Sequence, residues 1–147
     1  MPVTKSSKKT GTKSQPINPC PSPDRSKVVI INDDEFLAKI YKYKLENQGF
    51  RVACLYSSKT TVDDAVRENP DLVIMDLDLS KCNALETLGE FNKTNGGQRP
   101  VPIVMLSRYR NDEERRKALI SGAADFLVAT ELTPFEMLKR VRKILCG

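Results

Sequence analysis

The stretch DLVIMDLDLS, residues 71–80, combines an apolar run with two carboxylates, and this combination indicates both a fold and a site. The run Leu72–Met75 is short and follows a helix-stopping Asn-Pro pair, so it predicts a buried strand of a parallel sheet. Asp76 ends this strand, and Asp78 follows two residues later. Open α/β folds bind their ligands in the crevice at the carboxyl ends of the strands. A single Asp in this position is usually only an acidic turn, so the other strand ends have to be considered.

Two further apolar runs end in polar residues of complementary chemistry. Val28–Ile31 is followed by the cluster Asn32–Glu35, and Val101–Leu106 is followed by the hydroxyl of Ser107. Capping of the next helix requires only one Asp or Asn, so an acidic cluster of this size indicates a cation site. Carboxylates at two strand ends with a hydroxyl nearby suit a hard divalent cation together with an oxyanion. Mg2+ is the cofactor that this set of donors predicts.

The composition predicts one domain preceded by a tail. The chain has 147 residues and a net charge of +5, and the basic excess is concentrated in residues 1–26. That segment is rich in Ser, Thr and Pro, so we expect a disordered basic tail in front of one domain at 27–147. The tail has no apolar core of a secretion signal, and no run reaches membrane-spanning length, so no membrane partner is expected. A solvated tail is favoured over a nucleic acid partner.

The four cysteines show no paired metal-ligand spacing, and the chain has no histidine that could complete a zinc site. They predict free thiols in a reducing cytoplasm.

From residue 27 onward the sequence alternates five times between strand and helix patterns. The predicted strands are about Lys27–Ile31, Phe50–Tyr56, the run ending at Met75, Val101–Leu106 and Asp125–Val128. The predicted helices begin after the acidic cluster, at Ser57-Ser58, near Asn83, near Asn111-Asp112 and at the capping box Thr133–Glu136. This alternation predicts an α/β fold with a five-stranded parallel sheet, helices on both faces and the flavodoxin-like order 2-1-3-4-5. That order places Asp33 beside Asp76 at the topological switch point, with Ser107 on the next strand.

From residue 27 to the end, the chain resembles the receiver domain of two-component response regulators. The resemblance rests on the acidic cluster after strand one, on Asp76, on Ser107 and on GAADFLV at 122–128. It implies that Asp76 is the phosphoacceptor, which takes a phosphoryl group from a phosphohistidine on a partner kinase. It also implies that magnesium is needed for the transfer.

The acidic cluster allows two registers against the family pattern. In receivers the first acid of the pair lies about seventeen residues before the glycine that ends helix one, here Gly49. This count assigns Asn32 to the first acid's place and Asp33 to the direct metal ligand, with Asp34 capping the helix or contacting the outer shell. A shift of one residue would make Asp33 and Asp34 the pair.

The resemblance implies the remaining site roles residue by residue. Asp33 and Asp76 would give carboxylate oxygens to magnesium, and Asp78 would give its backbone carbonyl. Ser107 would donate its hydroxyl to a phosphoryl oxygen, and Phe126 would be the switch aromatic.

Five positions depart from the family pattern. The family Lys at the end of strand five is absent, because Ala129 occupies its position. Arg108 stands where a small residue usually follows the hydroxyl, so it either substitutes in part for the missing cation or remains an exposed side chain. Asn32 replaces an acid of the metal shell. Ser80 replaces a common Pro and Ala84 a common Gly, and we expect these two changes to alter only loop geometry.

Three functions are compatible with these residues. The first is a stand-alone receiver in phosphorelay signal transduction that is phosphorylated on Asp76, a phosphoprotein and not an enzyme. The second is a pseudo-receiver, a protein-binding module that phosphorylation does not switch, as the loss of the Lys at Ala129 suggests. The remote third is a haloacid-dehalogenase-like phosphatase, since Asp76-Leu77-Asp78 and Ser107 match its first two motifs. The later acidic pair of those enzymes is not found at a strand end after Ser107.

The receiver interpretation defines the expected partners. A sensor histidine kinase or phosphotransfer protein would supply the phosphoryl group in the cytoplasm. A downstream protein would bind the face formed by helix four, strand five and helix five.

Overall fold

The computed structural model describes residues 26–94 and 100–146. The five strands are β1 (Lys27–Ile31), β2 (Arg51–Leu55), β3 (Leu72–Asp76), β4 (Ile103–Ser107) and β5 (Asp125–Val128). The five helices are α1 (Glu35–Asn47), α2 (Thr61–Arg67), α3 (Ala84–Thr94), α4 (Asp112–Ile120) and α5 (Pro134–Cys146). A 3-10 turn at Ala129–Glu131, which the sequence pattern did not predict, separates β5 from α5.

The strands form one parallel sheet in the order β2-β1-β3-β4-β5, which confirms the predicted topology. Ile31 of β1 is paired with Met75 of β3, and Asp76 is paired with Leu106 of β4. The residue after Ile31 therefore lies beside Asp76, so the register brings Asn32 next to this carboxylate. The strand register alone therefore fixes the distances between the backbone positions of these residues.

Helices cover both faces of the sheet, because β1, β3 and β4 carry apolar side chains that point to both sides. One core cluster joins alternate strand residues to α1 and α5 through Tyr41, Leu45 and Val141. The opposite cluster joins the other residues of the same strands to α2, α3 and α4, with Leu88 and Phe91 fully buried. Burial on both faces is the reason that these strands appear in the sequence as continuous apolar runs.

Helix termini follow the predicted capping chemistry at α5 but not at α2. The backbone N–H of Thr133 donates to Glu136 at 2.8 Å, and the N–H of Glu136 donates to the Thr133 hydroxyl at 3.1 Å. The predicted start of the second helix at Ser57-Ser58 is wrong, because α2 begins at Thr61. Ser57 is bonded to Asp33 instead, and the N–H of Ser58 donates to the Thr61 hydroxyl.

Residues 1–25 of the predicted disordered tail, 1–26, lie outside the described residues. Cys54 and Cys82 are free thiols, as predicted. Cys146 is disulfide-bonded, so the prediction of a free thiol is wrong there. Within residues 26–94 and 100–146, no helix is both long enough and apolar enough to cross a membrane.

Candidate functional site

The sequence-predicted site residues gather at the carboxyl edge of the sheet. Asp76 is the last residue of β3, Ser107 is the last residue of β4, and Asp33 lies in the turn between β1 and α1. This edge is also where the helices begin, so loops and helix N-termini surround the Asp76 carboxylate. The topological switch point between β1 and β3 is therefore occupied by acidic side chains, as the strand order predicted.

Asp76 is half-buried, and its surroundings act on its carboxylate in opposite directions. Burial raises the pKa of Asp76, and the charge of Asp78 also raises it. Hydrogen bonds from the backbone N–H groups of Asp78 and Leu77 lower it, as does the positive charge of Arg108. Because burial is the largest of these effects, the pKa of Asp76 lies above its ordinary value.

Replacing this carboxylate by an amide is expected to stabilise the fold. A raised pKa means that the folded protein holds the Asp76 proton more tightly than the unfolded chain does, so ionised Asp76 lowers stability near neutral pH. We expect Asp76→Asn to increase the free energy of unfolding at pH 7 in magnesium-free buffer. The difference should vanish as pH falls below the unfolded pKa of 3.8. Urea unfolding of both proteins across this pH range measures it, and a gain that does not change with pH would contradict the electrostatic explanation.

Asp33 is held by two serines from different loops. Its Oδ1 accepts the backbone N–H of Ser57 at 2.8 Å. Its Oδ2 accepts the hydroxyl of Ser57 at 2.6 Å and both the N–H and the hydroxyl of Ser80, at 2.7 and 2.8 Å. Burial acts to raise the pKa of Asp33, but these hydrogen bonds together outweigh it and lower the pKa to about 2. Asp33 is therefore fully ionised at physiological pH.

Asn32 and Asp34 flank this carboxylate and have different roles. Asn32 is only 1% exposed, and its Oδ1 accepts the N–H of Asp34 at 2.8 Å. Its Nδ2 has no hydrogen-bond partner within the described part of the chain, so the side chain has an unused donor at the site. Asp34 is the N-cap of α1, and its Oδ1 accepts the N–H of Leu37 at 3.1 Å.

The positions of Arg108, Ala129 and Ser107 determine which groups could contact a phosphoryl group. Arg108 is largely exposed, and its Nη2 lies 3.6 Å from Oδ2 of Asp34. Ala129 is partly buried against the cluster under α1 and α5 and carries no polar side chain. The Ser107 hydroxyl donates to the backbone carbonyl of Tyr109 at 2.8 Å, so it would have to rotate to reach a ligand.

Phe126 is buried and lines a cavity of about 340 Å³ between α4, β5 and α5. Two of the three arginines that line this cavity are paired with acids: Arg110 contacts Glu131 at 2.8 Å, and Arg140 contacts Asp125 at 2.8 Å. The face that the sequence predicted for a downstream partner therefore contains a polar groove in which both signs of charge are present.

The donors at the sheet edge fit a hard cation in their chemistry. The carboxylates of Asp33 and Asp76 and the backbone carbonyl of Asp78 are oxygen ligands of the kind that magnesium takes. Within residues 26–94 and 100–146, no three acidic, thiol or imidazole side chains lie close enough together to enclose a metal ion. A cation here would therefore depend on two carboxylates, the backbone and water, and Asp33 would have to share its hydrogen-bonded oxygens.

Two residues of this arrangement were not predicted to belong to the site. Ser57 was expected only as a helix cap, and Ser80 only as a change in loop geometry. The sequence feature that could have indicated the contact of Ser80 with Asp33 is the residue type at position 80. Ser provides a backbone N–H donor, which the common Pro lacks.

Comparison with known proteins finds the same fold in receiver domains of response regulators. A family model described as the response regulator receiver domain matches residues 28–142. The BeF3-activated N-terminal receiver domain of Klebsiella pneumoniae RstA is 24% identical with a TM-score of 0.74, over 83% of this chain and 100% of that chain. The chemotaxis response regulator CheY4 of Vibrio cholerae is 20% identical with a TM-score of 0.71, over 82% and 98%. The receiver domain of the Francisella response regulator 1452 is 24% identical with a TM-score of 0.71, over 82% and 96%.

Proposed function

The chain belongs to the response regulator receiver domain family, and from this premise we propose that it accepts a phosphoryl group on Asp76 in a phosphorelay. The observation that carries the proposal is the placement of Asp76, a half-buried carboxylate at the end of β3 where β1 and β3 meet. The donor is a phosphohistidine of a sensor kinase or phosphotransfer protein in the cytoplasm. A gain of one phosphoryl mass with acetyl phosphate and magnesium tests the proposal.

The transfer requires an ionised acceptor that is held in place. An Asp76 oxygen attacks phosphorus, a P–O bond forms, the P–N bond of the phosphohistidine breaks, and the imidazole leaves and is protonated by solvent. A hydrogen bond from the backbone N–H of Asp78 and the charge of Arg108 favour the ionised form of the carboxylate. Magnesium, bound through Asp33, Asp76 and the carbonyl of Asp78, would supply charge neutralisation between the two anionic groups. The receiver itself is the substrate of this transfer and is not proposed to be an enzyme.

Exposed aromatic residues support a protein as the donor. Four aromatic side chains at the loops and helix starts of the acceptor edge are at least half exposed: Phe36 75%, Tyr56 50%, Tyr109 67% and Phe135 63%. Aromatic residues are enriched at protein interfaces, so this edge suits a partner that covers Asp76 during transfer. For the downstream partner we propose the face of α4, β5 and α5, where the groove next to Phe126 offers paired charges.

A protein-binding module without a phosphorylation switch is the alternative function. Ala129 supports it, because no side chain at that position can pair with a phosphoryl group. A phosphatase of the haloacid-dehalogenase type has no such support. The later acidic pair of those enzymes would have to come from a strand after Ser107, and Asp125 is the acid closest to such a position. Its carboxylate accepts hydrogen bonds from two guanidinium nitrogens of Arg140, Nη2 at 2.8 Å and Nε at 2.9 Å.

Arg108 is expected to replace part of the missing cation. Its charge already acts on Asp76, and Arg can bind phosphate with two nitrogens. We expect Arg108→Ala to slow phosphorylation or to shorten the phosphoryl lifetime by about tenfold, because a charge-assisted contact is lost. Adding Ala129→Lys should restore the rate and the lifetime. Both are measured by intact mass after acetyl phosphate is added and then removed.

Arg110→Ala is the matched control for Arg108, since Arg110 is paired with Glu131 and does not act on Asp76. Faster phosphorylation of Arg108→Ala would show instead that Arg108 blocks access of the donor.

A further inference from the structure

Asp33 is enclosed by what we call the serine clasp, formed by Ser57 after β2 and Ser80 after β3. Each serine contributes its backbone N–H and its hydroxyl, so four donors lie within 2.6–2.8 Å of the carboxylate. Oδ2 accepts three of these bonds and Oδ1 accepts one. A carboxylate offers about four lone-pair sites, so the clasp uses most of the capacity through which a cation could be bound.

The clasp ties two loops together. Ser57 is only 6% exposed, and its hydroxyl, besides donating to Asp33, accepts the backbone N–H of Lys81 at 3.0 Å. The Ser57 hydroxyl is therefore linked to Ser80 through the carboxylate of Asp33 and to Lys81 directly. The segment Ser80-Lys81 follows Asp76 and Asp78 directly in the chain, so it belongs to the loop that carries the expected carbonyl ligand.

The clasp also occupies the two oxygens of Asp33 unequally. Oδ2 accepts three donors, whereas Oδ1 accepts only the N–H of Ser57 and keeps one lone pair. Each of these bonds draws negative charge away from the oxygens that a cation shared with Asp76 would need. Binding of the cation through Oδ2 would require this oxygen to release at least one donor.

We propose that the serine clasp competes with magnesium for Asp33 and thereby sets the cation affinity of the receiver, with Ser80 as the residue that determines it. This inference rests on the proposed function, because it concerns the cation that the transfer requires. Ser80 is exposed and lies in a loop, whereas Ser57 is buried, so Ser80 is the partner that moves away when the cation binds. Magnesium binding is therefore coupled to movement of the loop between β3 and α3.

Two substitutions at Ser80 remove different parts of the clasp. Ser80→Ala removes the hydroxyl and keeps the N–H, and Ser80→Pro removes both donors. We expect magnesium affinity to rise in the order wild type, Ser80→Ala, Ser80→Pro, with a gain of about tenfold or more for the proline variant. Ser58→Ala is the matched control, because the Ser58 hydroxyl contacts Thr60 and Asp64 but not Asp33.

Isothermal titration of the full chain with magnesium chloride measures these affinities, and urea unfolding verifies that each variant is folded. Amide NMR of the wild type provides a second measurement, since magnesium should shift the Ser80 amide proton upfield as its bond to Asp33 breaks. If Ser80→Pro does not fold, Ser80→Ala still removes one of the two donors. The comparison of Ser80→Ala with wild type then tests the proposal by itself.

Tighter binding by the Ser80 variants, with Ser58→Ala equal to wild type, supports the clasp. Equal or weaker binding by Ser80→Ala overturns it, since the serines would then only orient Asp33 for the cation. The proposed function would stand in that case, provided that wild type binds magnesium and is phosphorylated. If no protein binds magnesium, the clasp proposal fails together with the metal-dependent transfer.

Discussion

Asp76→Asn is expected to abolish phosphorylation by acetyl phosphate in the presence of magnesium. The amide has nearly the shape of the carboxylate, but its oxygen is a poor nucleophile and its nitrogen cannot bind a cation. Wild type should gain the mass of one phosphoryl group, and the variant should gain none within the same reaction time. Intact-mass spectrometry in acidic solution measures both, because acyl phosphates survive brief exposure to acid. Chelation of magnesium with EDTA should have the same effect on wild type as the substitution.

Asp78→Asn is the matched control, because Asp78 is expected to give the cation only its backbone carbonyl, and its side-chain charge acts on Asp76 only by raising the pKa of that carboxyl group. This variant should still be labelled, and its labelling excludes a general effect of removing negative charge from the loop. Persistent labelling of Asp76→Asn would contradict the assignment of the acceptor. Absence of labelling in wild type would favour the protein-binding module that phosphorylation does not switch.

The fold was predictable because its signal is local. Val28–Ile31 and Leu72–Met75 are continuous apolar runs, and the structure buries them between two layers of helices. A strand that is buried on both faces can have no alternation, and runs separated by amphipathic helices leave a parallel sheet as the simplest arrangement. The connection rules for parallel sheets allow only a few strand orders, and 2-1-3-4-5 is one of them. This order places Asp33 and Asp76 at the same edge of the sheet.

Contacts between loops were not predictable in the same way. Asp33 and Ser80 are separated by 47 positions, and their hydrogen bond depends on how two loops are shaped. Ser57 is a residue type that commonly caps helices, and this is all that its local sequence indicates. Local propensity cannot show that Ser57 donates to Asp33 instead and that α2 begins four residues later, at Thr61. Cys146 illustrates the same limit, because its disulfide bond was not indicated by any spacing along the chain.

The environment of the acceptor combines a local and a nonlocal cause. The sequence shows that Asp78 follows Asp76, so their mutual repulsion was foreseeable. Arg108 acts on Asp76 from the loop after β4, and it lies 3.6 Å from Asp34 at the start of α1. One exposed arginine therefore faces both the helix cap and the acceptor. Phosphorylation would offer it a stronger anion than Asp34, which connects the loop after β4 to the state of the site.

Asp33→Asn is expected to weaken magnesium binding by about a hundredfold or more, whereas Asp34→Asn should change it by less than about threefold. The reason is the register in which Asp33 is the direct ligand and Asp34 caps α1 through Leu37. Asparagine is the appropriate substitution at both positions, because it retains an oxygen acceptor for the serines or for the helix N-terminus. Titration of both variants with magnesium measures the two effects under identical conditions.

The two registers predict opposite outcomes only if the fold is unchanged. Asn at position 33 keeps an oxygen for the three donors to Oδ2 but turns its NH2 group toward the N–H of Ser57, so urea unfolding has to verify that both variants are folded. Loss of the Asp34 charge removes the partner of Arg108, so that guanidinium would become free to approach Asp76 and could oppose the cation slightly. A small loss of affinity in Asp34→Asn is therefore consistent with Asp33 as the ligand. A loss in Asp34→Asn that exceeds the loss in Asp33→Asn would contradict this register. It would make Asp34 the direct ligand and leave Asp33 as the residue that binds the two loops together.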